Sequence, residues 1–361
     1  MDNFAFIIHP IDFKADVVRK YPAFKVIPAR ILRFMATLWP PVYLSHITGI
    51  RSTATGKEIE GWFYACPLSP DQMIDRPVEA VYRRIEATIR KAEAHGAKIV
   101  GLGAYTSVVG DAGITIASQV NIPVTTGDSY TVATAVQATR TSAERLGIDV
   151  STATAAVVGA YGAIGRASTL ILARDVARII LIGRDPVRLA RVADEARSQG
   201  QAEVIVSTDV ADMAQADMVL TVTSAVDTII RAEYLKVGAV VCDVSRPRDV
   251  AAEVAQQRDD VLVIDGGMAA VPGDVDFHFD FGFPPRMAYS CMAETMALAM
   301  EGRYESYTLG RNISVAQVDD IQEMAERHGF RLGGIRSFER EVTDEHFERI
   351  RAAARRKGAA R

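Results

Sequence analysis

Six short apolar runs follow one another from Thr154 to Gly267: TAAVVGA, RIILIGR, EVIVS, MVLTVTS, AVVCDVS and VLVIDGG. None shows the polar alternation of a strand with one wet face, so each reads as a strand covered on both sides. Helix-like stretches separate them, which is how parallel strands and their crossover helices look in sequence. This pattern commits the second half of the chain to a doubly wound parallel α/β sheet. Before Gly147 the texture is mixed. Residues 77–95 place Val78, Val81, Tyr82, Ile85 and Ile89 at helical spacing, with Gly96 as a stop. A strand-like KIVGLGAYTSVV and a strand, loop and helix over IPVTTGDSYTVATAVQATRTSAERLG come next. Asp128 or Ser129 is the expected N-cap of that helix, and Gly147 lies past its end. With 361 residues and 49% hydrophobic content the chain exceeds one ordinary domain. The expected division is an N-terminal α/β domain over 1–147, a nucleotide-binding domain over 148–285 and a C-terminal helical segment over 286–361.

The first apolar run leads into Gly159-Ala160-Tyr161-Gly162-Ala163-Ile164-Gly165, which precedes the helical RASTLILARD. Glycines between a buried strand and a helix permit a tight turn and close backbone approach. A pyrophosphate can then rest on the amides of the helix start. The spacing is GxxGxxG rather than GxGxxG, and its strand-to-helix context is what makes it a Rossmann-type dinucleotide signal. The second run ends in Arg184, followed by Asp185 and Arg188. An acidic residue here would take the ribose hydroxyls of NAD, whereas a guanidinium suits a 2′-phosphate. Arg184 favours NADPH; the alternative is that Asp185 serves the ribose and Arg184 is an ordinary loop residue. The strand ends Val222-Thr223-Ser224 and the glycine Gly266 fall where a parallel sheet presents its carboxyl ends, and are expected near the nicotinamide. Simple turn chemistry would explain them equally well.

Three cysteines, Cys66, Cys242 and Cys291, show neither CxxC nor His/Cys spacing, so no disulfide framework or zinc site is indicated and a reducing cytoplasm fits. Cys291 follows PPRMAYS at an expected helix start, where the macrodipole favours a thiolate. Glu294 opposes that effect. From physics alone a buried, inert cysteine is the commoner outcome. Cys66 and Cys242 read as structural, and so do His9 and His278. A formal net charge of −4 argues against general nucleic-acid binding. The short apolar start lacks the cationic lead of a signal peptide, and no run approaches the roughly 20 apolar residues of a membrane span.

Several segments resemble the long-chain acyl-[acyl-carrier-protein] reductases of cyanobacteria and related bacteria: STATGKEIEG (52–61), AYTSVV (104–109), VTTGDSYT (124–131), LGID…TAAVVGAYGAIG (146–165), CMAETMALAMEG (291–302) and LGRNISV…ERHGF (309–330). The resemblance runs from about Phe4 to about Gly329. It implies NADPH-dependent reduction of an acyl thioester to a fatty aldehyde, with Cys291 as the acylated nucleophile. It also implies acyl carrier protein or acyl-coenzyme A as donor and an aldehyde-consuming enzyme downstream. Tyr161 stands where the family has threonine and Asp128 where it has asparagine, and the segment between Gly273 and Arg286 is shorter. RILRFMATLWPPVYL (30–44) places Phe34, Leu38, Trp39 and Tyr43 beside Arg30 and Arg33, an apolar portal flanked by charge. Arg83, Arg84 and the tail Arg355-Arg356-Lys357 are further basic docking candidates. Two other readings stay open: a shikimate-type NADP-dependent alcohol dehydrogenase, which would use a Lys/Asp pair in the first domain, and a non-catalytic NADPH-sensing module.

Overall fold

The structure is a computed structural model and describes residues 2–10, 13–223, 225, 228–245 and 247–359. The chain forms two compact units. The first comprises Met1–Gly127, Val271–Asn312 and Ile321–Arg331; the second comprises Asp128–Ala270, Ile313–Asp320 and Leu332–Arg361.

The first unit is built on β1 (Asn3–Ile8), β2 (Val42–Arg51), β3 (Glu58–Ala65), β4 (Val100–Leu102) and β5 (Val124–Thr125). The sheet order is Gly273–Asp276, β2, β3, β1, β4, β5. β1 runs parallel to β3 and β4, β4 parallel to β5, and β2 antiparallel to β3. Alternation along β1 divides its side chains between two layers. Ala5 and Ile7 join the stripe Val81, Tyr82, Ile85 and Ile89 of helix Val78–Ala94 in one buried cluster. That helix and its Gly96 stop, at φ +106, match the periodicity in the sequence. On β4, a β-carbon added to Gly101 would meet the Phe6 ring at 2.5 Å and Thr295 Oγ1 at 2.1 Å. Helix Ser290–Glu301 therefore lies close against β4, and the lack of a side chain at Gly101 permits it.

The second unit contains β6 (Thr154–Val158), β7 (Arg178–Ile182), β8 (Glu203–Ser207), β9 (Met218–Thr221), β10 (Val240–Asp243) and β11 (Leu262–Asp265), one strand for each apolar run. All pair in parallel, in the order β11-β10-β9-β6-β7-β8. This is the doubly wound Rossmann order, with its topological switch between β6 and β9. The C-terminal stretch is helical, as expected, with Ser290–Glu301, Val315–His328 and Asp344–Ala359.

The units are not cut at 147 and 285. Helix Asp128–Leu146 belongs with the second sheet, where the Ala135 carbonyl accepts from Cys242 Sγ at 3.8 Å. Val271–Asn312 returns to the first, supplying an edge strand and the helix over β4. Which sheet a helix covers is decided by tertiary packing, and a linear change of texture does not report it. Helix Asp128–Leu146 begins at Asp128, directly after Gly127 at φ +77.

Candidate functional site

β6 ends at Val158 and Gly159 turns the chain at φ +85. A β-carbon there would lie 2.4 Å from the carbonyl oxygen of Val222, the residue after β9. The loop thus sits in the crevice where the two central strands part company. The amides of Gly159 and Ala160 donate to the Ile182 carbonyl at 2.9 and 3.2 Å, which ties the loop to the end of β7. A β-carbon on Gly165 would be 2.2 Å from Gly159 O, so the first helical turn folds back on the loop. Gly162 caps helix Ala163–Leu172 without a side chain. Ala163, Ile164 and Gly165 form its first turn, where backbone N–H groups lack intrahelical partners and the dipole favours an anion. These features fit a dinucleotide pyrophosphate.

At the end of β7 lie the residues on which the two cofactor readings turn. The Asp185 carboxylate accepts from the amides of Val187 and Arg188 at 3.0 and 3.1 Å, capping helix Pro186–Gln199. Both of these bonds go to Oδ1. Arg184 is exposed. Tyr161 packs on the bare face of Gly183, where a β-carbon would meet its ring at 2.6 Å. The Arg188 guanidinium lies 4.3 Å over that ring and donates to the Tyr161 carbonyl at 3.4 Å. Two guanidiniums therefore flank the strand end, one of them held by an aromatic plane that a threonine at position 161 would not supply.

The end of β9 is organised by a residue the sequence reading did not single out. Asp249 is fully buried. Its carboxylate accepts from the Thr221, Thr223 and Ser245 hydroxyls and from the Thr223 amide. Asp243 in turn accepts from the amides of Ser245 and Val250, both at 3.0 Å. Thr and Ser just past buried strands, with acids in DVSRPRD, were the available signal. Val222 and Thr223 are thereby brought to the phosphate loop. Ser224 lies outside the described residues. Gly266 lies just past the edge strand β11 and packs on Val244 and on Cys242 Sγ, where a β-carbon would come within 2.7 and 2.9 Å. That packing accounts for the glycine.

Cys291 belongs to the other compact unit. It is the second residue of helix Ser290–Glu301, partly exposed, within the first turn. Gly127, just past β5, packs on it so tightly that a β-carbon would lie 2.2 Å from Cys291 Cα. One turn on, the fully buried Glu294 accepts from Thr125 Oγ1 at 2.5 Å and Thr308 Oγ1 at 2.8 Å. The carboxylate that seemed placed to oppose a thiolate thus binds the helix to β5. Cys66 and Cys242 are buried. Burial pushes the Cys66 thiol up to about 11.

Both ring nitrogens of His9 are engaged: Nε2 accepts from the Tyr105 amide at 2.8 Å and Nδ1 donates to Pro10 O at 3.1 Å. Burial lowers its pKa, so it is a neutral strut between the ends of β1 and β4. His278 is exposed and pairs with Asp276 at 3.3 Å and with the His46 carbonyl at 2.9 Å. Of the basic docking candidates, Arg33 is paired with Asp71. Arg84 turns inward to the Ala36, Thr37 and Trp39 carbonyls. Lys357 is held by Asp259 and Asp260. Arg30, Arg83, Arg355 and Arg356 are exposed.

The fold and the loop at its switch point define a Rossmann dinucleotide-binding protein. Comparison with known proteins narrows this. The shikimate / quinate 5-dehydrogenase family profile matches residues 141–265. Aminotransferase PigE of Serratia sp. is 30% identical over 290 residues, which is 80% of this chain but 34% of PigE, so the chain spans about a third of that relative's length. The long-chain acyl-[acyl-carrier-protein] reductase of Synechococcus elongatus is 29% identical over 307 residues, 81% of this chain and 87% of the reductase. Quinate dehydrogenase from Corynebacterium glutamicum in complex with NAD aligns with a TM-score of 0.39 at 12% identity, over 90% of this chain and 97% of the other. The chain is an NAD(P)-dependent oxidoreductase of the Rossmann class. Among the described residues, no helix is long and apolar enough to cross a membrane.

Proposed function

We propose that the chain reduces a long-chain acyl thioester to a fatty aldehyde with NADPH, by way of an acyl group on Cys291. The observation that carries this reading is the placement of Cys291. It is the one partly exposed cysteine of the three, in the first turn of a helix held by Glu294, where the dipole favours the thiolate. The similarity to the Synechococcus elongatus reductase across most of that protein's length supports the same assignment. The guanidiniums of Arg184 and Arg188 at the end of β7 favour the 2′-phosphate of NADPH over the free ribose of NADH.

In this reading the Cys291 thiolate attacks the thioester carbonyl. The bond to the carrier sulfur breaks, and the carrier leaves as a thiol after taking a proton. When bound, the nicotinamide supplies a hydride. With a hydride so supplied, the thioester carbon on Cys291 Sγ would be reduced, and cleavage of its carbon–sulfur bond would release aldehyde and restore the thiolate. Gly159 to Gly165 bind the pyrophosphate, and Val222 and Thr223, fixed by Asp249, line the nicotinamide side. Acyl carrier protein or acyl-coenzyme A is the donor. An acidic carrier would meet exposed arginines, either Arg83 of the first unit or Arg355 and Arg356 of the second. The aldehyde, reactive and apolar, calls for a consuming enzyme downstream.

The family profile favours a second reading, a shikimate-type alcohol dehydrogenase. Its match lies in the cofactor unit and the helix that leads into it. In the first unit, Lys57 pairs with Asp2 at 2.7 Å, at the amino-terminal ends of β3 and β1, away from the carboxyl edge where a substrate would lie. Mass spectrometry after incubation with palmitoyl thioester and no NADPH separates the readings. The acyl mass should appear on the Cys291 peptide and discharge as aldehyde when NADPH is added. NADPH formation from a cyclic polyol and NADP, with no acylation, would select the alcohol dehydrogenase; no turnover with either substrate would leave the sensing module.

A further inference from the structure

Residues 13–39 form a small layer of their own on the first unit: helices Phe13–Lys20 and Ala29–Ala36 joined by a 3₁₀ turn over Pro22–Val26. They enclose a separate cluster of Phe13, Val17, Leu32 and Ala36, with Phe24, Ile27 and Trp39 packed against it. Arg84 holds the layer down by donating to the Ala36, Thr37 and Trp39 carbonyls at the end of the second helix. What the layer presents outward is apolar. Val26 is 86% exposed, Ile31 51%, Phe34 68% and Leu38 76%. An exposed stripe of this kind marks an interaction surface rather than a solvated face.

Charge indicates the partner. The segment carries Lys14, Arg19, Lys20, Lys25, Arg30 and Arg33 against a single acid, Asp16, in a chain of net charge −4. Arg19 is paired with Asp16 and Arg33 with Asp71. Lys25 and Arg30 are exposed and have no ion pair among the described residues. They interleave with Val26 and Ile31. Tyr21, 38% exposed, packs tilted against Phe24 and edge-on to Trp39, which stack on each other, at the margin, where aromatic rings favour a water–lipid boundary.

We propose that this face docks in the plane of an anionic lipid surface, with Val26, Ile31, Phe34 and Leu38 inserted among the acyl chains and Lys25 and Arg30 at the headgroups. Protruding side chains need a yielding partner, which a bilayer is and a folded protein without matching pockets is not. Cationic charges beside an apolar stripe are the composition that lies on a membrane rather than spanning it. The arrangement gives residues 30–38 of the apolar portal expected in the sequence a surface to meet instead.

Sedimentation of the full chain with vesicles tests this without substrate or cofactor, so the result is independent of whether Cys291 is a nucleophile. The protein should pellet with phosphatidylglycerol vesicles, less with phosphatidylcholine, and less as salt rises. Phe34→Ser with Leu38→Ser, both exposed sites, and separately Lys25→Glu with Arg30→Glu, should each weaken the phosphatidylglycerol partition about tenfold or more with unchanged circular dichroism. Brominated lipid should quench Trp39 fluorescence in a Trp62→Phe background. No pelleting with phosphatidylglycerol, or variants that pellet like the parent, would overturn the proposal. So would loss of acyl-carrier-protein binding in the Phe34→Ser, Leu38→Ser variant while its vesicle binding stayed intact, since the face would then be a protein dock.

Discussion

Gly127 and Cys291 meet backbone to backbone: a β-carbon on the glycine would fall 2.2 Å from the cysteine Cα and 2.6 Å from its carbonyl oxygen. Gly127 also holds φ +77, which a residue with a β-carbon adopts only under strain. Gly127→Ala should therefore push the first turn of helix Ser290–Glu301 outward. Strain and overpacking together should cost about 2 to 4 kcal/mol, read as a lower urea midpoint, and the rate of Cys291 alkylation by iodoacetamide should change with it. An alanine variant with the parent midpoint and alkylation rate would show that this contact does not set the thiol's position.

The Glu294 carboxylate is the other fastener of that helix. Removing it leaves the Thr125 and Thr308 hydroxyls without a shared acceptor in a buried place. Glu294→Ala should cost about 3 kcal/mol or more, because an unmade buried hydrogen bond and a cavity add. Glu294→Gln keeps one acceptor oxygen and should cost less. Equal losses in chemical denaturation would mean that charge, not the hydroxyl bonds, matters at this position.

The Rossmann unit was legible because its strands announce themselves as unbroken apolar runs, each of which became one strand; five of the six are largely buried, whereas the edge strand β8, expected to be covered on both sides, is intermediate or exposed along its whole length. The glycine loop was legible for the same reason: Gly159 and Gly165 answer steric demands that only nearby backbone imposes. The limits appear where contacts are distant in sequence. Asp249 lies in a polar stretch and gains its role from Thr221, Thr223 and Ser245. Glu294 looked like an electrostatic opponent of Cys291 until its partners 169 and 14 residues away were seen. Gly266 meets a steric demand from Val244 and Cys242 that no local pattern in the sequence announces. Helix Asp128–Leu146 has the same amphipathic pattern whichever sheet it covers.

Cofactor choice rests on Arg184 and on the engagement of Asp185. Arg184→Ala should raise KM for NADPH about tenfold or more while leaving that for NADH nearly unchanged, since only NADPH presents a 2′-phosphate. Asp185→Ala should act differently. Loss of the cap on helix Pro186–Gln199 should lower stability by about 1 kcal/mol, with both cofactors affected alike. A selective gain in NADH use by the Asp185 variant would contradict its role as a cap.

Asp260 gives the fold a dependence on acid that can be signed in advance. Burial alone would raise its pKa. The Arg258 guanidinium, donating at 3.0 and 2.7 Å, and the Lys357 ammonium at 2.6 Å outweigh that and bring it down to about 2. In the unfolded chain an aspartate titrates near about 3.9. The folded state therefore holds its proton less tightly, and the resulting stability is fully present above the unfolded value and lost as pH falls through the folded one. Across that shift the contribution is about 2 kcal/mol. Asp260→Asn preserves the shape and removes the charge, leaving Arg258 and Lys357 without their common partner. Urea midpoints of parent and variant should differ most near about pH 6 to 7, converge from about pH 5 downward, and nearly coincide close to about pH 2. A gap that stayed constant over that range would mean that the pair contributes packing and no charge-dependent stability between the start of β11 and helix Asp344–Ala359.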